Sequence, residues 1–177
     1  MKHEIFNTVL DFADSDVTFE QIYQKPYIPM EYMADIKRAN LLIIPNDSFR
    51  NEKDILFPET TREFLDFIRE TGVDEIVADI AISDEDFQRI ELHSAVIEVA
   101  TIIVQQVVLP IATGIVAAFL YDLIKKYHRN PEETSAKVKI ITEETNTKRS
   151  KMITYEGPVS GVKDALDQAV KELFSKE

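Results

Sequence analysis

The stretch VATIIVQQVVLPIATGIVAAFLY, residues 99–121, runs for 23 positions without a charged side chain, and how it folds decides the architecture. Its most apolar window of 19 has a mean hydropathy of roughly 2, the range of membrane-crossing candidates. At 1.5 Å per residue, about 21 helical residues span about 31 Å, enough for the hydrocarbon core of a bilayer. The composition is apolar all round rather than striped, so such a helix must be covered on every side, by lipid or by protein. Gln105, Gln106 and Pro110 inside the stretch raise the cost of insertion. The basic cluster Lys125, Lys126, His128 and Arg129 would hold the following end in the cytoplasm, leaving an acidic first hundred residues to cross. Ala112, Gly114, Ala117 and Ala118 permit close helix approach in either medium. Two burial sites follow: the interior of the fold or a homo-oligomer, and a membrane. Val104, Val108, Ile111, Ile115 and Phe119 are the expected contact residues in the oligomer or in lipid.

Upstream, Ser83 is a good N-cap and Asp84, Glu85 and Asp86 suit a first helical turn, where the helix dipole favours carboxylates. The pattern therefore predicts one long helix over residues 84–129, kinked near 107–110 by Pro110 and stopped by Asn130-Pro131. Before it, Asn40-Leu41-Leu42-Ile43-Ile44-Pro45 reads as a strand covered on both faces, since its apolar run does not alternate. Thr60-Thr61-Arg62-Glu63 has the spacing of a capping box and opens a helix with Phe64, Leu65, Phe67 and Ile68 buried, closed by Gly72. Residues 76–82, Ile-Val-Ala-Asp-Ile-Ala-Ile, read as a second strand. Strand, helix and strand in this order make a βαβ unit with parallel pairing. Residues 4–13 and the segment after Ser15-Asp16 have near-helical spacing, so residues 1–39 are expected to be a helical N-terminal segment. Downstream, residues 136–144 and 151–156 form a hairpin around a polar loop, and Gly157-Pro158 ends its second strand. Ser160 then caps a helix whose Val162, Leu166, Ala169, Val170, Leu173 and Phe174 share one face. The fold class is α+β, or α/β, with one small sheet layered with helices. Residues 40–177 form the α/β domain that contains the long apolar helix.

Composition removes whole classes of function. The chain of 177 residues has no cysteine, hence no disulfide framework, thiolate nucleophile or thiolate metal site. The formal net charge of −12 opposes binding to duplex nucleic acid, where each phosphate contact needs a cation. That charge is uneven. Residues 1–100 carry 9 basic and 22 acidic side chains, a net of −13, whereas residues 101–177 carry 11 and 10, a net of +1. The acidic half either keeps the surface solvated or steers a basic partner. The N-terminus has acids within its apolar positions and no small-residue cleavage site, unlike a secretory signal peptide, so a cytoplasmic location is expected, membrane-associated if the helix inserts.

Catalytic patterns are scarce. His3, His93 and His128 are scattered, with no i, i+4 ligand pair, and the acids at Asp74, Glu75, Asp79, Asp84, Glu85 and Asp86 fit no calcium loop. No nucleophile elbow, dinucleotide fingerprint or P-loop occurs. The expectation is no metal and no cofactor. Asn46 and Asp47 follow a parallel strand, where open α/β sheets place ligands, and Arg50 and Lys53 lie close enough in sequence to meet an anion. Residues 46–53 are thus the candidate ligand-binding loop. Gly157-Pro158-Val159-Ser160-Gly161 suggests a phosphate turn, although Pro158 lacks an amide and Ser160 is explained as a cap.

From about residue 94 to 173 the order is an apolar helix, the basic exit IKKYHR, the strand KVKIITEE, the strand KMITYEG and an amphipathic helix. This order resembles the small effector-associated constant component proteins of bacterial conflict and antiphage gene clusters. The resemblance implies a non-catalytic companion of a defence effector and carries over no catalytic residue. The functional expectation is a non-enzymatic interaction or regulatory subunit, assembling through its apolar helix with itself or with a protein partner. Two rival expectations are a membrane-anchored or membrane-disrupting effector using residues 101–121, and a ligand-binding or enzymatic domain using the 46–53 loop.

Overall fold

A computed structural model describes residues 8–45, 56–83, 85–90 and 96–174. In chain order the elements are β1 (Val9–Ser15), α1 (Phe19–Tyr23), a 3-10 turn (Met30–Tyr32), α2 (Met33–Arg38), β2 (Leu41–Ile43), β3 (Leu56–Pro58), α3 (Thr61–Glu70), β4 (Ala78–Ile80), β5 (Gln88–Ile90), β6 (Val96–Glu98), β7 (Ile102–Gln105), a 3-10 turn (Gln106–Val108), α4 (Leu109–Lys126), β8 (Ser135–Glu143), β9 (Ser150–Pro158), a 3-10 turn (Val159–Gly161) and α5 (Val162–Phe174). The protein is a mixed α+β fold around one seven-stranded sheet in the order β1-β9-β8-β7-β2-β4, with β6 also on β8; β3 and β5 form a separate two-stranded ladder.

Both faces of the middle of the sheet are covered. Leu41, Ile43, Ile102, Val104, Val138, Ile140 and Ile153 join α3, α4 and α5 in one apolar cluster. Leu42, Ile44, Ile103 and Ile141 turn to the other side and pack on Phe19 and Ile22 of α1 and Ile36 of α2. This double covering explains the unbroken apolar run of β2, whose three residues are at most 1 % exposed. β2 and β4 are parallel, with Leu41 opposite Ala78 and Ile43 opposite Ile80, and α3 lies between them in the chain, so the expected βαβ unit is present. α1 is anchored where the Phe19 amide donates to Glu143 Oε1 at 3.2 Å. Burial raises the Glu143 carboxyl above its ordinary value, against the opposing pull of that amide. Toward β1 the second face is polar: Glu98, Lys137 and Glu156 stand in one cross-strand row, and Lys139, Thr154 and Asp11 in another. Opposite charges at such positions support pairing while leaving that side solvated.

Several local expectations are corrected. The stretch read as one helix over 84–129 contains β5, β6 and β7, and among its described residues only Leu109–Lys126 is α-helix. Ile102, Ile103 and Val104 are β-branched and doubly covered, and apolar periodicity alone does not separate a buried strand from a buried helix. Pro110 stands in the first turn of α4, where a missing amide costs nothing, so no mid-helix kink arises. β6 and β7 behave as one strand with a bulge: Val99, Ala100 and Thr101 face only Val138 and Lys139 of β8. The N-terminal segment is not helical throughout, because Val9–Ser15 pairs antiparallel with β9 and alternates outward Val9 and Asp11 with inward Leu10 and Phe12; residues 4–7 of that expected helix lie outside the described residues.

Capping also differs. Thr18 caps α1 by accepting from the Gln21 amide at 3.1 Å. The Thr60 hydroxyl donates to the Glu98 carbonyl at 3.3 Å, tying the start of α3 to β6, while Glu63 reaches Lys126 on α4 at 3.3 Å, so no capping box forms. Ser83 closes a turn with Asp86 rather than opening a helix. Leu56–Pro58, after the candidate 46–53 loop, pairs with β5. Gly72, with φ +63°, does follow α3 as read from the sequence. The hairpin of β8 and β9 is present, with β9 continuing through Gly157 and Pro158, and α5 buries Val162, Leu166 and Ala169 as its pattern requires.

Candidate functional site along the β4 edge

The five expected contact residues of the apolar helix are spent inside the fold. Val104 lies in β7 and is fully buried; Val108, Ile115 and Phe119 are buried and Ile111 half-buried against the same core. Phe119 packs on Phe64 and Phe67 of α3, with ring centroids 4.9 and 5.5 Å apart. The solvent side of the helix carries Val107, Pro110, Gly114, Ala118 and Tyr121 instead. Residues Gln106–Lys126 are long and apolar enough to cross a membrane, with a mean hydropathy of 2.1, and here 61 % of that apolar window is buried in protein.

Asn46, Asp47, Arg50 and Lys53 lie outside the described residues. The Gly157–Gly161 turn is filled from within by Tyr155. Its ring is fully buried and its hydroxyl donates to the Pro158 carbonyl at 2.7 Å. A Cβ at Gly161 would stand 2.8 Å from that hydroxyl oxygen and one at Gly157 3.0 Å from it, so both glycines make room for tyrosine. Burial raises the Tyr155 pKa above its ordinary value.

A cleft of about 290 Å³ lies beside β4, the last strand of the sheet among the described residues. One wall is α3, whose Arg62, Leu65, Asp66 and Arg69 recur at i, i+3, i+4 and i+7 and so share a face. Tyr32 and Ile36, from the 3-10 turn and α2, form the other wall. Ile80, Ile82, Ser83 and Phe87 supply the floor and one end. The deep positions are apolar: Ile36 is 1 % exposed, Ile82 4 % and Leu65 8 %. Charge gathers on the walls. The Arg62 guanidinium lies 4.5 Å over the centre of the Phe87 ring, and Phe87 stacks on buried Phe57. Arg69 approaches Asp79 at 3.7 Å, a loose pair of small energetic weight because Arg69 is more than half exposed. Asp79 Oδ1 also accepts from the Ile80 amide at 2.8 Å.

The approach to β4 is fixed by Asn40, whose side chain donates to the Glu75 carbonyl at 2.7 Å and accepts from the Val77 amide at 2.9 Å. These two bonds set where β4 begins against β2. The cleft was not read from the sequence. Its residues are scattered over 32–87, and only the face of α3 has a periodic signal, which reads as an ordinary helix surface. Comparison with family models, curated proteins and solved structures finds no match to this chain.

Proposed function

We propose that the chain is a non-enzymatic interaction subunit that docks a partner protein in the cleft beside β4, as a companion component of a bacterial antiphage system. The observation that carries the docking part is the cleft itself: an apolar floor between charged walls, placed at a sheet edge that no other strand among the described residues pairs. Such a site has the anatomy of a protein-binding hot spot, in which apolar anchors exclude water and rim charges set register. The defence assignment rests on the resemblance of residues 94–173, whose later portion keeps the order apolar helix, strand, strand, amphipathic helix. The membrane reading is less favoured, because inserting α4 would withdraw Phe119, Leu120 and Leu123 from the core.

The chain has no cysteine, so a single one can be placed at will. Asp66→Cys carrying a benzophenone on the cleft wall should crosslink in cells to a partner that Lys163→Cys, on the exposed side of α5, does not reach. That partner, identified by mass spectrometry and purified, should bind at least tenfold more weakly to Leu65→Arg, a loss of about 1.4 kcal/mol. Asp66→Trp, at an exposed position, repeats the block without touching the core. Equal crosslinking from both cysteines, or binding indifferent to both blocks, would overturn the reading.

A further inference from the structure

We propose that the occupant of this cleft is an extended peptide segment of the partner, which adds to the sheet as a new strand against β4. The inference rests on the interaction-subunit reading and names the form its partner takes. It follows from where the backbone of β4 points. In the parallel ladder with β2, the Leu41 amide donates to the Val77 carbonyl at 3.3 Å and the Ala81 amide to the Ile43 carbonyl at 2.9 Å. Alternation then assigns Val77, Asp79 and Ala81 to β2 and turns the amides and carbonyls of Ala78 and Ile80 away from it, toward the open edge. Among the described residues, no neighbouring strand of the sheet receives them.

The one outward group with a partner confirms the direction. The Ile80 amide donates to the carboxylate of Asp79, its own neighbour, at 2.8 Å. A carboxylate folded onto an edge amide is a guard against uncontrolled strand pairing. It is also replaceable: an incoming peptide carbonyl offers the same acceptor, and Arg69 at 3.7 Å is placed to keep the released carboxylate. The shape agrees. From Arg62 to Arg69 the helical wall is about 10 Å long, the reach of three or four extended residues. Alternate side chains of such a strand meet Leu65 and Ile82 on the α3 side, and those between turn toward Tyr32 and Ile36 on the opposite wall. This is the geometry of strand addition between a sheet edge and a helix, in which main-chain bonds supply affinity and pockets for alternate residues supply selectivity.

The probe is a phage-displayed library of random decapeptides, selected on the full chain and counter-selected on Asp66→Trp. Enriched peptides are then N-methylated one amide at a time and titrated by fluorescence polarisation. Strand addition requires that sensitivity alternate with period two, each sensitive amide costing at least tenfold. It also requires at least a tenfold loss on Ala78→Pro, which removes an outward amide and leaves the ladder to β2 intact, as proline is tolerated at sheet edges. Circular dichroism checks that Ala78→Pro folds; should it not, the methylation scan on the unaltered protein decides alone. Peptides that bind and are lost on Leu65→Arg, yet show no alternating sensitivity, overturn strand addition and leave the cleft as a docking site. A library from which nothing is enriched over the Asp66→Trp control overturns both.

Discussion

A single hydroxyl organises the corner between β9 and α5. Tyr155 is fully buried, its hydroxyl satisfies the Pro158 carbonyl, and its ring cannot swing aside because the core encloses it. Gly161 does not have a positive φ, so alanine there suits the backbone and would ordinarily gain about 0.4–1 kcal/mol from a stiffer unfolded chain. The clash with the hydroxyl, at 2.8 Å, costs more, of the order of 1–3 kcal/mol for overpacking a rigid site. Gly161→Ala should therefore destabilise the protein in urea unfolding. Tyr155→Phe should lose about 1–2 kcal/mol by stranding the Pro158 carbonyl. In that background the alanine should become neutral or favourable, giving a coupling of about 1–3 kcal/mol in the double-mutant cycle. Additive effects would show that the two residues do not meet. The glycines were visible in the sequence as a turn signal. What demanded them was not, since Tyr155 reaches them only once the strand pairing and the 3-10 turn are in place. The loss of the Thr60–Glu63 capping box is of the same kind: both side chains found tertiary partners, Glu98 and Lys126, that local spacing does not announce.

At the scale of elements, the stretch that decides the fold divides at Gln105. Before it, β-branched residues buried on both faces become strand; after it, Pro110 and the small residues become the first turns of α4. Elements with one-sided or clearly punctuated patterns were legible: β2, α3, the β8–β9 hairpin and α5 stand close to where periodicity and turn residues place them. β7, buried on two sides and without a turn residue to set it apart from the helix that follows, was not, because uniform apolarity erases the period that tells a strand from a helix. The same division makes adjacent valines opposite in character. Val107 is 70 % exposed and Val108 6 %. Val108→Asp would place an unpaired carboxylate in the core, at a cost of several kcal/mol that consumes much of a domain's typical stability. Val107→Asp stays in water beside the start of α4, where the dipole favours a carboxylate by about 0.3–1 kcal/mol. Thermal melts should therefore show Val107→Asp unchanged or raised and Val108→Asp strongly lowered. Equal damage from both would mean that the helix is covered all round, as lipid or an oligomer would cover it.

For the whole molecule, stability is layered from the middle of the sheet outward. β2 and β7 carry apolar side chains into both clusters and are almost wholly buried. Among the described residues β4 has one strand neighbour; it is three residues long and half-exposed, and β1 at the other edge has exposed Val9 and Asp11. Opening an edge uncovers little apolar surface, whereas opening β2 separates both clusters at once. Native-state hydrogen exchange should rank the amides accordingly. Those of Leu42 and Ile44 should exchange only through global unfolding, at the free energy measured by denaturant. Those of β1 and β4 should exchange through smaller openings, with the outward amide of Ala78 fastest and that of Ile80 slowed by its Asp79 acceptor. Exchange at Leu42 as rapid as at Ala78 would contradict a doubly covered centre. A sharper comparison comes from Asp79→Ala, which should speed exchange at Ile80 and leave Leu42 unmoved. The edge that carries the cleft is then one that opens at little cost in buried apolar surface, so the proposed docking site lies where the sheet is least committed to the core.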